Sequence, residues 1–214
     1  MRAIDKGREP QELRQYRNQK GAKYDGANFT PVKERIREAL LQEQGFLCAY
    51  CMQRITETTM KIEHWHCQTS YPNEQLVYKN LLGCCKGNEG ESPRNQHCDT
   101  RKGDLDITLN PADPAHHTRL RIRYAGDGKI RSENRQFNNE INNVLNLNWS
   151  RLKSNRKSVV SAVMQVLSQQ PGTRTKNEIR RLLAPWQRPN DQEELKEYCG
   201  VAVYYLEKRM ARCK

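Results

Sequence analysis

Between Cys48 and Lys102 the chain concentrates residues that ligate metals or move protons. Cys48 and Cys51 stand two residues apart in Cys48-Ala-Tyr-Cys51, Cys84 and Cys85 adjoin, and Cys98 follows His97. Thiols in groups this widely separated suit a closed tetrahedral zinc site, which takes soft sulfur ligands and admits no water. Glu63-His64, Asn80 and Asp99 supply the opposite kind of group: two carboxylates, an imidazole and an amide. That set suits a hydrated divalent cation and a general base. The stretch therefore reads as a structural metal staple beside a hydrolytic centre.

The flanking elements must position these groups. A short helix is expected from Pro10, with Leu13 and Tyr16 on one face. Thr30-Pro31 reads as the start of a second helix, threonine capping and proline in the first turn. Its stripe of Val32, Ile36, Leu40 and Leu41 ends at Gly45, which delivers the chain into Cys48. Thr58 to Trp65 alternates as a strand ending at Glu63-His64. Pro72 to Asn80 suggests a turn and a short helical piece with Leu76, Val77 and Tyr78 facing inward. Lys86 to Gln96 is polar and Gly-rich, an exposed insertion between Cys85 and Cys98.

Beyond Gly103 the pattern predicts a hairpin of Arg119 to Tyr124 and Lys129 to Arg131 around Asp127-Gly128. Helical stripes follow: Phe137, Ile141, Val144 and Leu145; then Leu152, Val159, Val160, Val163, Met164 and Leu167. Pro171-Gly172 separates these from a helix near Lys176 to Leu183 that Pro185 and Pro189 would end. Asp191 is expected to cap a last helix carrying Leu195, Tyr198, Ala202, Tyr205 and Leu206. Three regions are expected: a helical lead-in over 1–45, a core with its metals over 46–110, and a docking region over 111–214.

Composition sets bounds. Of 214 residues 36% are hydrophobic and 29% charged, no run of 18 apolar residues occurs, and the opening Met-Arg-Ala-Ile-Asp-Lys carries no apolar segment of a signal peptide. A cytoplasmic location with no membrane partner is the expectation. Eight cysteines without an export signal favour metal binding over a secreted disulfide framework. The net charge of +12 is uneven: residues 1–105 carry 17 Lys and Arg against 14 Asp and Glu, or +3, and residues 106–214 carry 20 against 11, or +9. Such an excess fits a polyanion or an acidic protein surface.

The order Cys-x2-Cys, acidic-His, Asn, Cys, then Cys-acidic-x2-Lys-Gly resembles the zinc-bearing branch of the HNH endonucleases, over about a quarter of the chain. A wider likeness runs from Met-Arg-Ala-Ile-Asp-Lys through Gln44-Gly-Phe-Leu-Cys48-Ala-Tyr-Cys51 to Arg123-Tyr-Ala-Gly-Asp-Gly-Lys-Ile and Asn148-Trp149. It is similar to the PtuB proteins of Septu anti-phage systems, including those that accompany retrons. The resemblance implies an α+β fold with a zinc-stapled ββα-metal core, preceded by a helix and followed by a β-hairpin and a helical region. It implies that Cys48, Cys51, Cys85 and Cys98 hold zinc, with Cys85 favoured over Cys84 and Cys98 over His97. His64 would be the general base and Asn80 would tie down its loop. Glu63 and Asp99 would bind Mg²⁺ or Mn²⁺, and Arg101 and Lys102 would grip a phosphate. Many members have Asp in place of Glu63 and Asn or His in place of Asp99, which alters the metal geometry. Cys67, Cys199 and Cys213 are read as ordinary thiols, His66 as structural, and His116-His117 as surface.

The function this implies is a metal-dependent nuclease effector of an anti-phage defence system, cutting DNA or structured RNA such as tRNA under a PtuA-like ABC-type ATPase. Retron-type members would add a reverse transcriptase with its RNA-linked DNA. Two alternatives are a non-catalytic zinc module that binds nucleic acid or a partner protein, and a free-standing restriction or homing enzyme.

Overall fold

The computed structural model describes residues 1–169 and 174–213; the turn expected at Pro171-Gly172 lies outside them. The chain is mixed α+β, with two small antiparallel sheets among short helices. Helix α1 (Gln11–Arg17) buries Leu13 and Tyr16. Helix α2 (Thr30–Gln44) buries Val32, Ile36, Leu40 and Leu41 and ends at Gly45, whose φ of 59° is the left-handed turn that glycine permits. Thr30 is the first helical residue, Phe29 takes the cap position, and no side-chain cap forms there, contrary to the expectation.

Strand β1 (Met60–His64) pairs antiparallel with β2 (Leu81–Cys85), bringing Glu63 opposite Leu82 and His64 opposite Leu81. Two 3₁₀ turns, Pro72–Glu74 and Tyr78–Asn80, lie in the connection. Leu76 and Tyr78 pack inward there, whereas Val77 turns out to solvent. Helix α3 (Cys98–Lys102) follows the exposed insertion.

Helix α4 (Pro114–Leu120) precedes the hairpin β3 (Ile122–Tyr124) and β4 (Ile130–Ser132). Gly128, at the turn, has φ of 82°, and an added Cβ would lie 2.0 Å from the Lys153 carbonyl, so both conformation and space require glycine. Helix α5 (Arg135–Asn139) continues into one wide π turn. Helix α6 (Ser150–Ser168) follows, and Arg156 reaches from it into the interior, donating to the carbonyls of Gly128 (2.7 Å) and Leu147 (2.6 Å).

Four expectations in this half are corrected. Arg119 and Leu120 close helix α4, and the strand starts only at Ile122. Met164 faces solvent because the stripe on α6 is narrower than the run of aliphatic residues suggests. Helix α7 (Lys176–Gln187) contains Pro185 in its last turns, packed through Ile179 and Leu183, instead of stopping before it. Helix α8 (Cys199–Met210) starts after Tyr198, with no role for Asp191 as cap, although Leu195 and Tyr198 are buried as the pattern requires.

One buried cluster runs from the amino-terminal segment through α2, both strands of the first sheet and the second hairpin to Val201; a smaller one sits among α6, α7 and α8. Among the described residues no helix is long and apolar enough to cross a membrane.

Candidate functional site

The thiol cluster is assembled from three elements. The loop after α2 supplies Cys48 and Cys51, closed by Cys48 N–H to the Gln53 carbonyl (2.9 Å) and Met52 N–H to the Cys48 carbonyl (3.0 Å). The end of β2 supplies Cys85 and the start of α3 supplies Cys98. Gln44, buried at the end of α2, sews these pieces together: its amide donates to the carbonyls of Leu47 and Gly83 (both 2.8 Å) and accepts from Gly83 N–H (2.7 Å).

The ligand atoms of Cys48, Cys51, Cys85 and Cys98 all lie within 4.8 Å of one another, and all four residues are buried. The Cys48–Cys98 and Cys51–Cys85 sulfurs are 3.9 and 3.8 Å apart. A tetrahedron with Zn–S bonds of about 2.3 Å has S···S edges of about 3.8 Å, so the cluster fits a metal such as zinc. Cys84, also buried, is outside this set of four. His97 lies beside the cluster, its Nδ1 3.2 Å from Cys98 Sγ and its ring stacked on Trp149.

Strand β1 places Glu63 and His64 a few residues from this cluster, both nearly inaccessible. The His64 ring fixes its own tautomer. Its Nε2 lies 3.0 Å from the Gln75 carbonyl, which can only accept, so Nε2 carries the proton and Nδ1 is left as the acceptor of the neutral ring. Burial is the main cause holding the His64 pKa below the ordinary imidazole value, the Gln75 carbonyl opposing it. Tyr24 packs edge-on against the ring at 4.5 Å between centroids, and its backbone N–H donates to the Gln75 side chain (2.9 Å).

Asn80 clamps the loop that follows β1. Its amide oxygen accepts from His66 N–H (2.8 Å) and its nitrogen donates to the carbonyls of His66 (2.9 Å) and Glu74 (3.3 Å). His66 is stacked between Trp65 and Tyr71 and bonded to Glu74 (2.8 Å).

Glu63 and Asp99 are adjacent. Burial first, and the neighbouring Asp99 carboxyl second, push the Glu63 carboxyl well above the usual carboxylate range, with Lys102 pulling the other way. Asp99 is the more accessible of the pair and stands 3.6 Å from the Lys61 ammonium. Two hard oxygen groups crowded together in this way fit a divalent cation, which would relieve their repulsion.

The two cations expected at a phosphate are held by the protein itself. Lys102 is 1% exposed, its ammonium 2.9 Å from Glu63 Oε1 and bonded to the His64 carbonyl (3.2 Å). Arg101 is half-buried and donates to the carbonyls of Pro93 (2.9 Å) and Asn143 (3.4 Å), closing the insertion onto the helical region. Lys102 is thus a buried counter-ion, not a surface grip, because α3 turns it inward behind Asp99.

Sequence reasoning missed Tyr50, Gln75 and Tyr24. Tyr50 lay in view inside the Cys-x2-Cys spacing, whereas Gln75 acts through its backbone carbonyl, which leaves no trace in residue type.

No protein-family model matches the chain. The chain is similar to the inferred HNH endonuclease of retron Vc95 from Vibrio cholerae, 26% identical over 171 residues, spanning 74% of this chain and 82% of that protein. It is also similar to the inferred HNH endonuclease of retron Ec83 from Escherichia coli, 27% identical over 168 residues, spanning 59% of this chain and 65% of that protein. Against the Septu protein PtuB of Bacillus thuringiensis it is 29% identical over 99 residues, 45% of this chain and 37% of PtuB. These likenesses place the chain beside proteins named as retron-associated HNH endonucleases and Septu PtuB.

Proposed function

We propose that this protein is a metal-dependent nuclease that hydrolyses phosphodiester bonds as the effector of an anti-phage defence system. The observation that carries the reading is a tautomer-fixed imidazole, His64, directly following Glu63, whose carboxyl adjoins that of Asp99. A module that only binds has no use for a base flanked by hard metal ligands. The names of its relatives support the same class.

In this reading β1, β2 and α3 form a ββα-metal core that the four cysteines staple around zinc. His64 takes the proton from an attacking water at Nδ1, and the Gln75 carbonyl stabilises the imidazolium that forms through Nε2–H. Because the ring is held neutral by burial, it is ready to accept that proton at cellular pH. Glu63 and Asp99 would hold Mg²⁺ or Mn²⁺, which supplies charge neutralisation for the phosphoryl oxygens and the leaving group. Asn80 keeps the loop after β1 closed and so holds Gln75 and His64 in register. The basic second half of the chain docks a PtuA-like ATPase, with a retron reverse transcriptase and its RNA-linked DNA in assemblies of that type.

The direct test is cleavage by a His64→Ala protein. A folded, zinc-loaded variant that no longer cuts supports catalysis by this cluster, and unchanged biological activity in that variant would make the protein a binding module.

A further inference from the structure

Tyr50 belongs to the thiol cluster by sequence and to the carboxylate pair by contact. It lies between Cys48 and Cys51, is wholly buried, and donates its hydroxyl to Glu63 Oε1 at 2.9 Å. The same oxygen faces the Lys102 ammonium at 2.9 Å. The phenol and the ammonium thus meet Glu63 at the same oxygen, Oε1.

The backbone around Tyr50 is held just as firmly. Ligand thiols stand two residues before it and one after, and the preceding Ala49 N–H donates to the Gly83 carbonyl (3.0 Å) of β2. Gly83 is paired with Ile62, the residue before Glu63. The knuckle thus grips β1 and β2 twice, once through the main chain and once through the phenol. A carboxylate held at one oxygen by a hydrogen bond and an ion pair has its other oxygen set in direction as well, which is the condition for a pre-oriented ligand.

We infer that Tyr50 is a positioning residue: it transmits the geometry of the thiol cluster to Glu63, so that the second oxygen of Glu63 meets a divalent cation together with Asp99. This rests on the nuclease reading above, in which Glu63 and Asp99 bind that cation. Lys102 completes the arrangement by neutralising Oε1 while bonding the His64 carbonyl, so that one network holds ligand and base.

The test is Mn²⁺ binding, followed by electron paramagnetic resonance, in zinc-loaded wild-type and Tyr50→Phe proteins, with zinc content and melting temperature measured on both. Phenylalanine keeps the whole ring and removes only the donor. The expected result is that Y50F retains zinc and its melting temperature but binds Mn²⁺ about 10- to 100-fold more weakly, the loss typical of an outer-shell partner. Equal Mn²⁺ affinity in the two proteins would overturn the role of Tyr50 alone. Loss of zinc or of the fold in Y50F would assign the hydroxyl to stability and also overturn it. Failure of the wild type to bind Mn²⁺ would instead remove the nuclease reading beneath it.

Discussion

Lys102 and Glu63 show how far a residue's neighbours decide its task. From the sequence, a lysine one residue after Arg101 reads as a phosphate contact; in the fold it is a buried counter-ion. Removing one partner of a buried pair leaves the other charged and unpaired, at a cost of about 3–5 kcal/mol. Lys102→Met is therefore expected to lower unfolding free energy by about that amount in urea titrations. A surface phosphate grip would cost nothing measurable, so a change below about 1 kcal/mol would contradict the assignment. His117 gives a second prediction at this scale. Burial first and the nearby amino terminus second lower its pKa to about 4, with the Pro111 carbonyl at 3.3 Å opposing them. The unfolded state binds the proton more readily, so this stability is present above about pH 6.5 and is lost as pH falls towards 4. Between pH 7 and pH 5 the wild type should lose about 2 kcal/mol that a His117→Gln protein does not lose, as measured by paired urea titrations.

At the scale of elements, the strands, the insertion and the helices before and after them were legible because each carries a local signal. Alternation marked β1, the 3.6-residue stripe with a terminal glycine marked α2, and Asp127-Gly128 marked the second hairpin. What escaped depends on packing from elsewhere. Val77 and Met164 are apolar yet exposed, since no element among the described residues covers their positions. Pro185 is tolerated in α7 because Ile179 and Leu183 anchor the helix ahead of it and the Arg188 N–H still bonds to the Ala184 carbonyl. Of the candidate site, the thiols and the Glu63-His64-Asp99 set were visible as residue types, but the carbonyl of Gln75 and the inward turn of Lys102 were not. The insertion between Cys85 and Cys98 hides a strict requirement. Gly87 has φ of 52°, and a Cβ there would lie 1.9 Å from the His97 carbonyl. Gly87→Ala should displace His97 and Cys98, and cobalt spectra of the thiol site should show weakened or altered coordination; a wild-type spectrum would contradict this.

For the whole molecule, the four cysteines join segments that are otherwise distant in the chain, and the main buried cluster surrounds them. Stripping the metal with a chelator should lower the melting temperature of the whole chain, not of one segment, because the cluster ties α2, the first sheet and α3 into one core. Two separated transitions in calorimetry would contradict a shared core. The charge excess of the second half stands apart from this centre and suits contact with an acidic partner surface or a polyanion. The measurement closest to the central claim is cleavage of double-stranded DNA, single-stranded DNA and structured RNA by zinc-loaded protein in Mn²⁺, with and without the proposed ATPase partner. The wild type should cut, and His64→Ala should cut at least about 100-fold more slowly while keeping its zinc. Equal rates in the two proteins would contradict the account.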